Sequence, residues 1–331
     1  MIIRTSAPAR AALIGNPSDG YFGKTIAFTF SNFHAEATLF ESPELVIEPS
    51  IRDGSTFSSL EALAADVRTF GYYGGIRLIK SAIKCFHDYA VENGVRLHDR
   101  NFTIRYASNI PNLVGLAGSS AIITACMRAI MAFYGVEIPK PRLANLIRAV
   151  ENKELGIAAG LQDRVAQVYQ GLVYMDFSKD LLDKQGYGNY EPMSADLMPP
   201  LYLAYRTDLS EGSEVFHNNI RDRFNAGEKA VVDAMRFFAD LTDKARDAML
   251  RHDYQALSAL MDANFDKRAT LYHRSEGNLR MVRVARECGA SAKFSGSGGA
   301  IVGVCPDDAV FDRLTERLGK FGVQVLRPKL V

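Results

Sequence analysis

The chain has 331 residues, 47% hydrophobic and 23% charged. These are the proportions of a globular protein with a full core, and the length predicts two lobes with a cleft between them. Its net charge of +1, with Lys and Arg scattered rather than gathered in runs, excludes a nucleic-acid footprint and points to a small-molecule partner. Cys85, Cys126, Cys288 and Cys305 form no CxxC pair, and no apolar run approaches the roughly 20 residues that span a bilayer, so neither a zinc motif nor a membrane partner is expected.

Met1-Ile2-Ile3-Arg4 leads directly into structured-looking sequence, without the apolar stretch and small-residue site of a signal peptide, and a cytoplasmic location is expected. Within residues 1–50, Ile26–Phe30 and Ala35–Phe40 alternate apolar and polar side chains, predicting short antiparallel strands. From Gly75 the period changes. Leu78, Ile79, Ala82, Ile83, Phe86 and Tyr89 recur at helical spacing, and Asn93-Gly94 supplies a stop. A strand over Phe102–Tyr106 precedes a Gly/Ser segment and an apolar helix over Ala121–Phe133.

Pro139 and Pro141 open another helix that runs to Val150, and Gly171 precedes a strand over Leu172–Phe177. Residues 178–200 are polar and aperiodic, with Gly186, Gly188, Pro192 and Pro199-Pro200, and place a domain boundary there, dividing 1–190 from 191–331. Beyond a strand over Leu201–Arg206, the sequence predicts helix from Glu214 to Arg286. It closes with a strand (Ala292–Val304), a helix (Asp307–Leu318) and a strand (Val323–Pro328). Segregated helices and antiparallel strands predict an α+β fold in both lobes.

Three glycine-containing segments stand out: Ser6–Arg10 with Leu13–Tyr21, Pro111–Ala121, and Lys293–Ala300. In the second, a strand leads through Gly115 and Gly118 to Ser119-Ser120 at the start of an apolar helix. Unpaired N–H groups and the positive helix end then converge where a phosphate fits, and a serine hydroxyl there can ligate magnesium. An ordinary N-cap serine after a glycine turn has the same pattern. Ser18–Thr25 resembles a phosphate-binding P-loop, but Ser18 stands where the first glycine must be and Thr25–Phe28 reads as strand, so that fold is rejected.

Glu151 and Asp163 flank Gly156 and Gly160, and Asp163 opens the amphipathic stretch to Tyr169. Phosphoryl transfer needs a carboxylate to hold a metal and can use another to orient or deprotonate a hydroxyl. A surface glutamate and a first-turn aspartate are the plainer reading of the pair. His34, His87, His98, His217, His252 and His273 show no metal spacing. In Gly71-Tyr72-Tyr73-Gly74-Gly75 the tyrosines either line a sugar pocket or form a turn before a helix.

Taken in order, the three glycine segments resemble those of the GHMP kinases, the family of galactokinase, homoserine kinase, mevalonate kinase and phosphomevalonate kinase. Pro111–Ala121 is similar to the family's PxxxGLxSSxA motif with one extra loop residue, and Ser295–Ala300 to its glycine-rich third motif. Gly15–Asp19, Gly71–Gly75 and Glu154–Tyr169 resemble the glucuronokinase branch.

The resemblance implies a two-lobed fold, with an N-terminal lobe like ribosomal protein S5 domain 2, a ferredoxin-like C-terminal lobe and the active site between them. It implies ATP and magnesium as cofactors and an acidic sugar as substrate, phosphorylated at its anomeric hydroxyl. Pro111, Gly115, Leu116, Ala117, Gly118, Ser119, Ser120 and Ala121 would bind ATP. Ser120 and Glu151 would hold the metal, and Asp163 with Arg10 would be catalytic. Asn16, Asp19, Tyr72, Tyr73, Gly296, Ser297 and Gly298 would face the substrate.

Galactokinases carry Glu-His where this chain has Asn16-Pro17, and a neutral Asn16 suits a substrate that brings its own carboxylate. Arg77, Arg164 and Arg206 are candidates for the cation that pairs with it. A kinase for another sugar or sugar phosphate, such as a heptose phosphate, and a non-catalytic sensor of ATP and sugar are the alternatives.

Overall fold

In the computed structural model the described residues are 1–50, 53, 58–70, 74–207, 220–271 and 275–331. The first sheet contains β1 (Ile2–Ile14), β2 (Lys24–Ser42), β3 (Val46–Glu48), β4 (Asn101–Ser108), β5 (Leu172–Asp176) and β6 (Asn189–Met193). Its order is β3-β4-β2-β5-β6, with β1 on β2, and only the β3–β4 pair is parallel. The second sheet contains β7 (Leu201–Tyr205), β8 (Lys293–Phe294), β9 (Ala300–Val304) and β10 (Gln324–Leu326), in the order β10-β7-β9-β8.

Among the described residues the helices are α1 (Leu60–Phe70), α2 (Gly75–Glu92), α3 (Gly118–Tyr134), α4 (Lys140–Ala149), α5 (Gln162–Tyr169), α6 (Lys179–Gln185), a helical segment over 220–225 (α7), α8 (Lys229–Leu250), α9 (Tyr254–Ala269), α10 (Glu276–Glu287) and α11 (Asp308–Gly319). A π-helical turn, Val150–Glu154, continues α4. The fold is α+β, built on two sheets. No helix among the described residues is long and apolar enough to cross a membrane.

The two strands expected between 26 and 40 are one strand. β2 runs unbroken from Lys24 to Ser42, and the register against β1 shifts between Pro8, opposite His34, and Ala9, opposite Phe30. Ser31 and Asn32 in that gap bond instead to Lys329 and Arg327 of the C-terminal segment. Residues 25–30 are all buried, because the middle of β2 packs against α3 and against α8. Alternation there did not mark a half-exposed strand.

Residues 178–200 also differ from expectation. They hold α6, β6 and a single turn of 3₁₀ helix, Ala195–Leu197, so the aperiodic composition concealed short elements, of which β6 pairs with β5. The change of sheet falls between Met193 and Leu201. The long strand expected over 292–304 is a hairpin whose turn is the glycine-rich segment. The rejected P-loop is strand from Lys24 onward, as read. The first part of the helix expected from Glu214 lies outside the described residues.

The second sheet separates two cores by its pleat, since successive side chains point to opposite faces. Leu201, Leu203 and Tyr205 of β7 and Val302 and Val304 of β9 face the core shared with the first sheet, α3 and α8. Tyr202, Ala204 and Ile301 face α10 and α11. All four cysteines are buried and free.

Candidate active site

The loop from β4 to α3 sets the first wall. Gly115 and Ala117 both adopt left-handed backbone, at φ +71° and +63°, turning the chain so that α3 starts at Gly118. The cap residue is Ala117 and makes no side-chain cap, so the alternative of an N-cap serine does not hold. Ser119 and Ser120 lie inside the first turn, where N–H groups lack partners within the helix. Ser120 is fully buried with its hydroxyl on the Ala117 carbonyl at 3.2 Å, and Ala121 is buried behind it, whereas Gly118 and Ser119 remain partly open. Pro111 and Leu116 frame the loop, Leu116 as a core residue and Pro111 at the partly exposed edge.

The β8–β9 turn forms the second wall and rests directly on this loop. A Cβ added to Gly296 would sit 2.3 Å from the Gly115 carbonyl oxygen, and one added to Gly115 would sit 2.8 Å from the Ser297 nitrogen. The two backbones therefore approach as only glycines permit. Ser295 Oγ donates to the Gly115 carbonyl, and Arg268 donates to Gly296 O at 2.8 Å. Ser297 is partly exposed and Gly298 buried.

Arg10 of β1 locks these pieces together. Its Nη1 donates to the carbonyl of Ser295 at 2.6 Å and of Gly115 at 3.4 Å, while its Nη2 donates to Asp163 Oδ1 at 2.5 Å. Asp163 occupies the first turn of α5 and keeps 22% of its side chain exposed, enough to meet a ligand. Arg164 lies on its other side, Nη1 3.3 Å from Asp163 Oδ2, and its Nη2 is bonded to the buried Glu151. Glu151 and Asp163 are thus joined through one guanidinium. The hydrogen bonds of Glu151 and Ser120 go to Arg164 and Ala117 rather than to each other.

Asp19 completes the group. It accepts from the Gln162 N–H at 3.3 Å, and a Cβ on Gly160 would collide with its Oδ2 at 2.0 Å. Burial, and next the negative charge of Asp163, push its carboxyl up to about 6; the Gln162 N–H, Arg10 and Arg164 oppose the shift. Asn16 is buried nearby, its backbone bracketed by Asn264, which accepts from Gly15 N and donates to Asn16 O. Among the described residues Asn16 Oδ1 has no partner.

Arg10 therefore joins Asp163 to both glycine segments, and Asp19 lies against the Gly160–Gln162 turn that leads to Asp163. Tyr72 and Tyr73 lie outside the described residues. Arg164 is not available as a substrate cation, because Glu151 and Asp163 already take its guanidinium. Arg206 follows β7 and its Nε lies beside Gly322. Three contributors receive no role from sequence: Gln167, which donates to Pro8 O and Ala117 O; Arg268; and Asn264.

Two family descriptions match this chain, "GHMP kinases N terminal domain" over residues 77–171 and "GHMP kinases C terminal" over residues 245–324. Probable glucuronokinase 2 of Arabidopsis thaliana is 46% identical, covering 98% of this chain and 90% of its own length. Glucuronokinase 1 of the same plant is 44% identical, covering 90% and 84%. The crystal structure of Methanococcus jannaschii mevalonate kinase superposes with a TM-score of 0.73 over 100% of this chain and 98% of its own, at 19% identity, a likeness of fold. With the glycine loop, the glycine turn and the Arg10–Asp163 pair in place, these matches establish that the chain belongs to the GHMP kinase family.

Proposed function

We propose that the protein transfers the terminal phosphoryl group of ATP to the anomeric hydroxyl of glucuronate, giving glucuronate 1-phosphate and ADP. The observation that carries this reading is the frame built on Arg10, whose guanidinium holds the glycine-rich turn through Ser295 and the carboxylate of Asp163 at once. Phosphoryl transfer depends chiefly on alignment and charge stabilisation, and a shared frame for the base and the phosphate walls serves both.

Asp163 accepts the hydroxyl proton as the sugar oxygen attacks the γ-phosphorus, and Arg10 stays charged and steadies the charge passing between sugar and phosphate. Gly115–Ala121 and the first turn of α3 receive the phosphates through backbone N–H groups. Gly296, Ser297 and Gly298 border the same space, and Asp19 accepts hydrogen bonds from sugar hydroxyls. Glucuronate is supported by the likeness to the two plant glucuronokinases and by Asn16, a neutral buried side chain with a free acceptor close to Asp19 in sequence.

Ser120 and Glu151 offer the hard oxygen donors that magnesium takes. Among the described residues no group of three or more His, Cys, Asp and Glu stands ready for a metal. An ion held by these two would thus draw its remaining ligands from phosphate oxygens and water, the usual division for magnesium in such sites. When bound it neutralises charge on the phosphates. Glu151→Gln should raise the magnesium requirement, and an unchanged requirement would reduce Glu151 to the buried partner of Arg164.

The test of the reaction is to incubate the pure protein with ATP, magnesium and a panel of sugars while following ADP, then to locate the new phosphate by phosphorus-coupled NMR. Turnover of glucuronate with phosphate on the anomeric oxygen is expected. Phosphate on another hydroxyl, or turnover confined to a sugar phosphate, would overturn the glucuronate reading and leave family membership intact.

A further inference from the structure

Beside Asp19 opens a cleft lined by Pro17, Asp19, Gly20, Tyr21, Gly160 and Arg221. Arg221 belongs to α7, and its guanidinium lies 5.5 Å over the Tyr21 ring, with Nη2 next to Gly20. Stacking on an aromatic face orients a guanidinium while leaving its edge free to donate. Arg148 of α4 lines a separate cavity and supports the cleft wall from behind, its Nε donating to Ala159 O at 3.0 Å.

These two cations are close enough to act on each other. Burial, and next the charge of Arg221, pull the Arg148 guanidinium below its usual value, and Asp19 only partly opposes this. Among the described residues neither arginine has a carboxylate within ion-pair distance, in contrast to Arg10 and Arg164, which are both paired. Two neighbouring cations with no ion-paired carboxylate among the described residues favour a bound anion.

The position suits one anion in particular. Asp19 accepts from the Gln162 N–H, one residue before the proposed base Asp163, and shares the cleft with Arg221. In glucuronate the carboxylate is attached across the ring oxygen from the anomeric carbon. A sugar with its anomeric hydroxyl at Asp163 and its ring beside Asp19 then directs its carboxylate toward the arginines.

We infer that Arg221, with Arg148 behind it, is the cation that receives the substrate's carboxylate and sets the preference for a uronate over a neutral sugar. The inference rests on the glucuronate reading above. Arg221 supplies a planar fork that a carboxylate matches with two hydrogen bonds, and Arg148 adds charge from the wall. Neither residue takes part in phosphoryl transfer.

Steady-state kinetics of wild type, Arg221→Gln and Arg221→Lys with glucuronate, glucuronamide and glucose test it. In Arg221→Gln the KM for glucuronate should rise about 10- to 100-fold, the range for losing a charged hydrogen-bond partner, with kcat and the KM for ATP little changed. Preference for glucuronate over its neutral amide should shrink by the same factor. Arg221→Lys keeps the charge and should recover part of the loss, which a purely structural role for the Tyr21 stack would not predict. If Arg221→Gln does not fold, Arg221→Lys and Arg148→Gln carry the same comparison. Wild-type turnover of glucuronate with an unchanged acid-to-amide preference in the variants would overturn this inference alone. Failure of the wild type to use glucuronate, or use of a sugar phosphate in its place, would overturn it together with the reading it rests on.

Discussion

Two aspartates lie within electrostatic reach of each other, and their surroundings differ. Asp163 is held by Arg10 and Arg164, whereas Asp19 has a backbone N–H and a neighbouring negative charge. Asp163→Asn keeps the shape and removes the charge, so turnover should fall about 10²- to 10⁴-fold, the usual worth of general-base assistance, with ATP binding little changed in calorimetry. The same substitution removes the charge that helps raise Asp19. The pH midpoint for sugar binding, near 6 in wild type through Asp19, should therefore move lower in Asp163→Asn, and calorimetric titration across pH 4–8 would read the shift.

Asp19 also has a stability signature. Its folded value of about 6 lies above its ordinary value of 3.8. Its stabilising contribution is thus complete below the ordinary value and is lost as pH rises through about 6. Asp19→Asn should accordingly be more stable than wild type at pH 7.5, by on the order of 1–3 kcal/mol in unfolding free energy, and the advantage should vanish near pH 4. Equal differences at both pH values would show that Asp19 is not strained by ionisation.

At the scale of elements, the site depends on a loop and a hairpin turn meeting without side chains between them. Gly296 and Gly115 are in backbone contact, and Arg10 binds a carbonyl from each segment. Gly296→Ala would force the turn away from the Gly115 carbonyl, at a cost of about 1–3 kcal/mol for an added methyl in a packed place. Because the turn is also tied to Arg10, the displacement should reach Asp163. Thermal melts should show the loss of stability, and turnover should fall more than a surface substitution of equal ΔTm would produce. A stability loss with normal turnover would uncouple the two segments from catalysis.

For the whole molecule, continuity of the core decides how the lobes behave. One apolar cluster takes in β1, β2 and α3 of the first sheet and also α8, β7 and β9. Polar ties reinforce it: Thr242 of α8 donates to Lys24 O, and Asn264 of α9 holds the backbone of Gly15 and Asn16. Lobes that share a core and buried hydrogen bonds unfold together. Denaturant titration followed by far-UV and near-UV circular dichroism should give coincident transitions with a single midpoint. Two separated transitions would show that the lobes have independent cores.

Much of this was legible in the linear order of residues. Helical spacing from Leu78 to Tyr89 and the apolar run after Ser120 fix α2 and α3, because a helix repeats over neighbours a few residues apart. The glycine segments carried the family resemblance, which residue type and spacing preserve along the chain. Tertiary structure alone decided that Gly115 and Gly296 touch, that Arg164 belongs to Glu151, and that Arg221 stacks on Tyr21 in the cleft beside Asp19. Those relations join positions far apart in the chain, and local periodicity carries no information about which distant residue will fill a neighbouring space. The buried middle of β2 makes the same point: its alternation suggested one wet face, and only the packing of α3 and α8 on its two sides determined that both are dry.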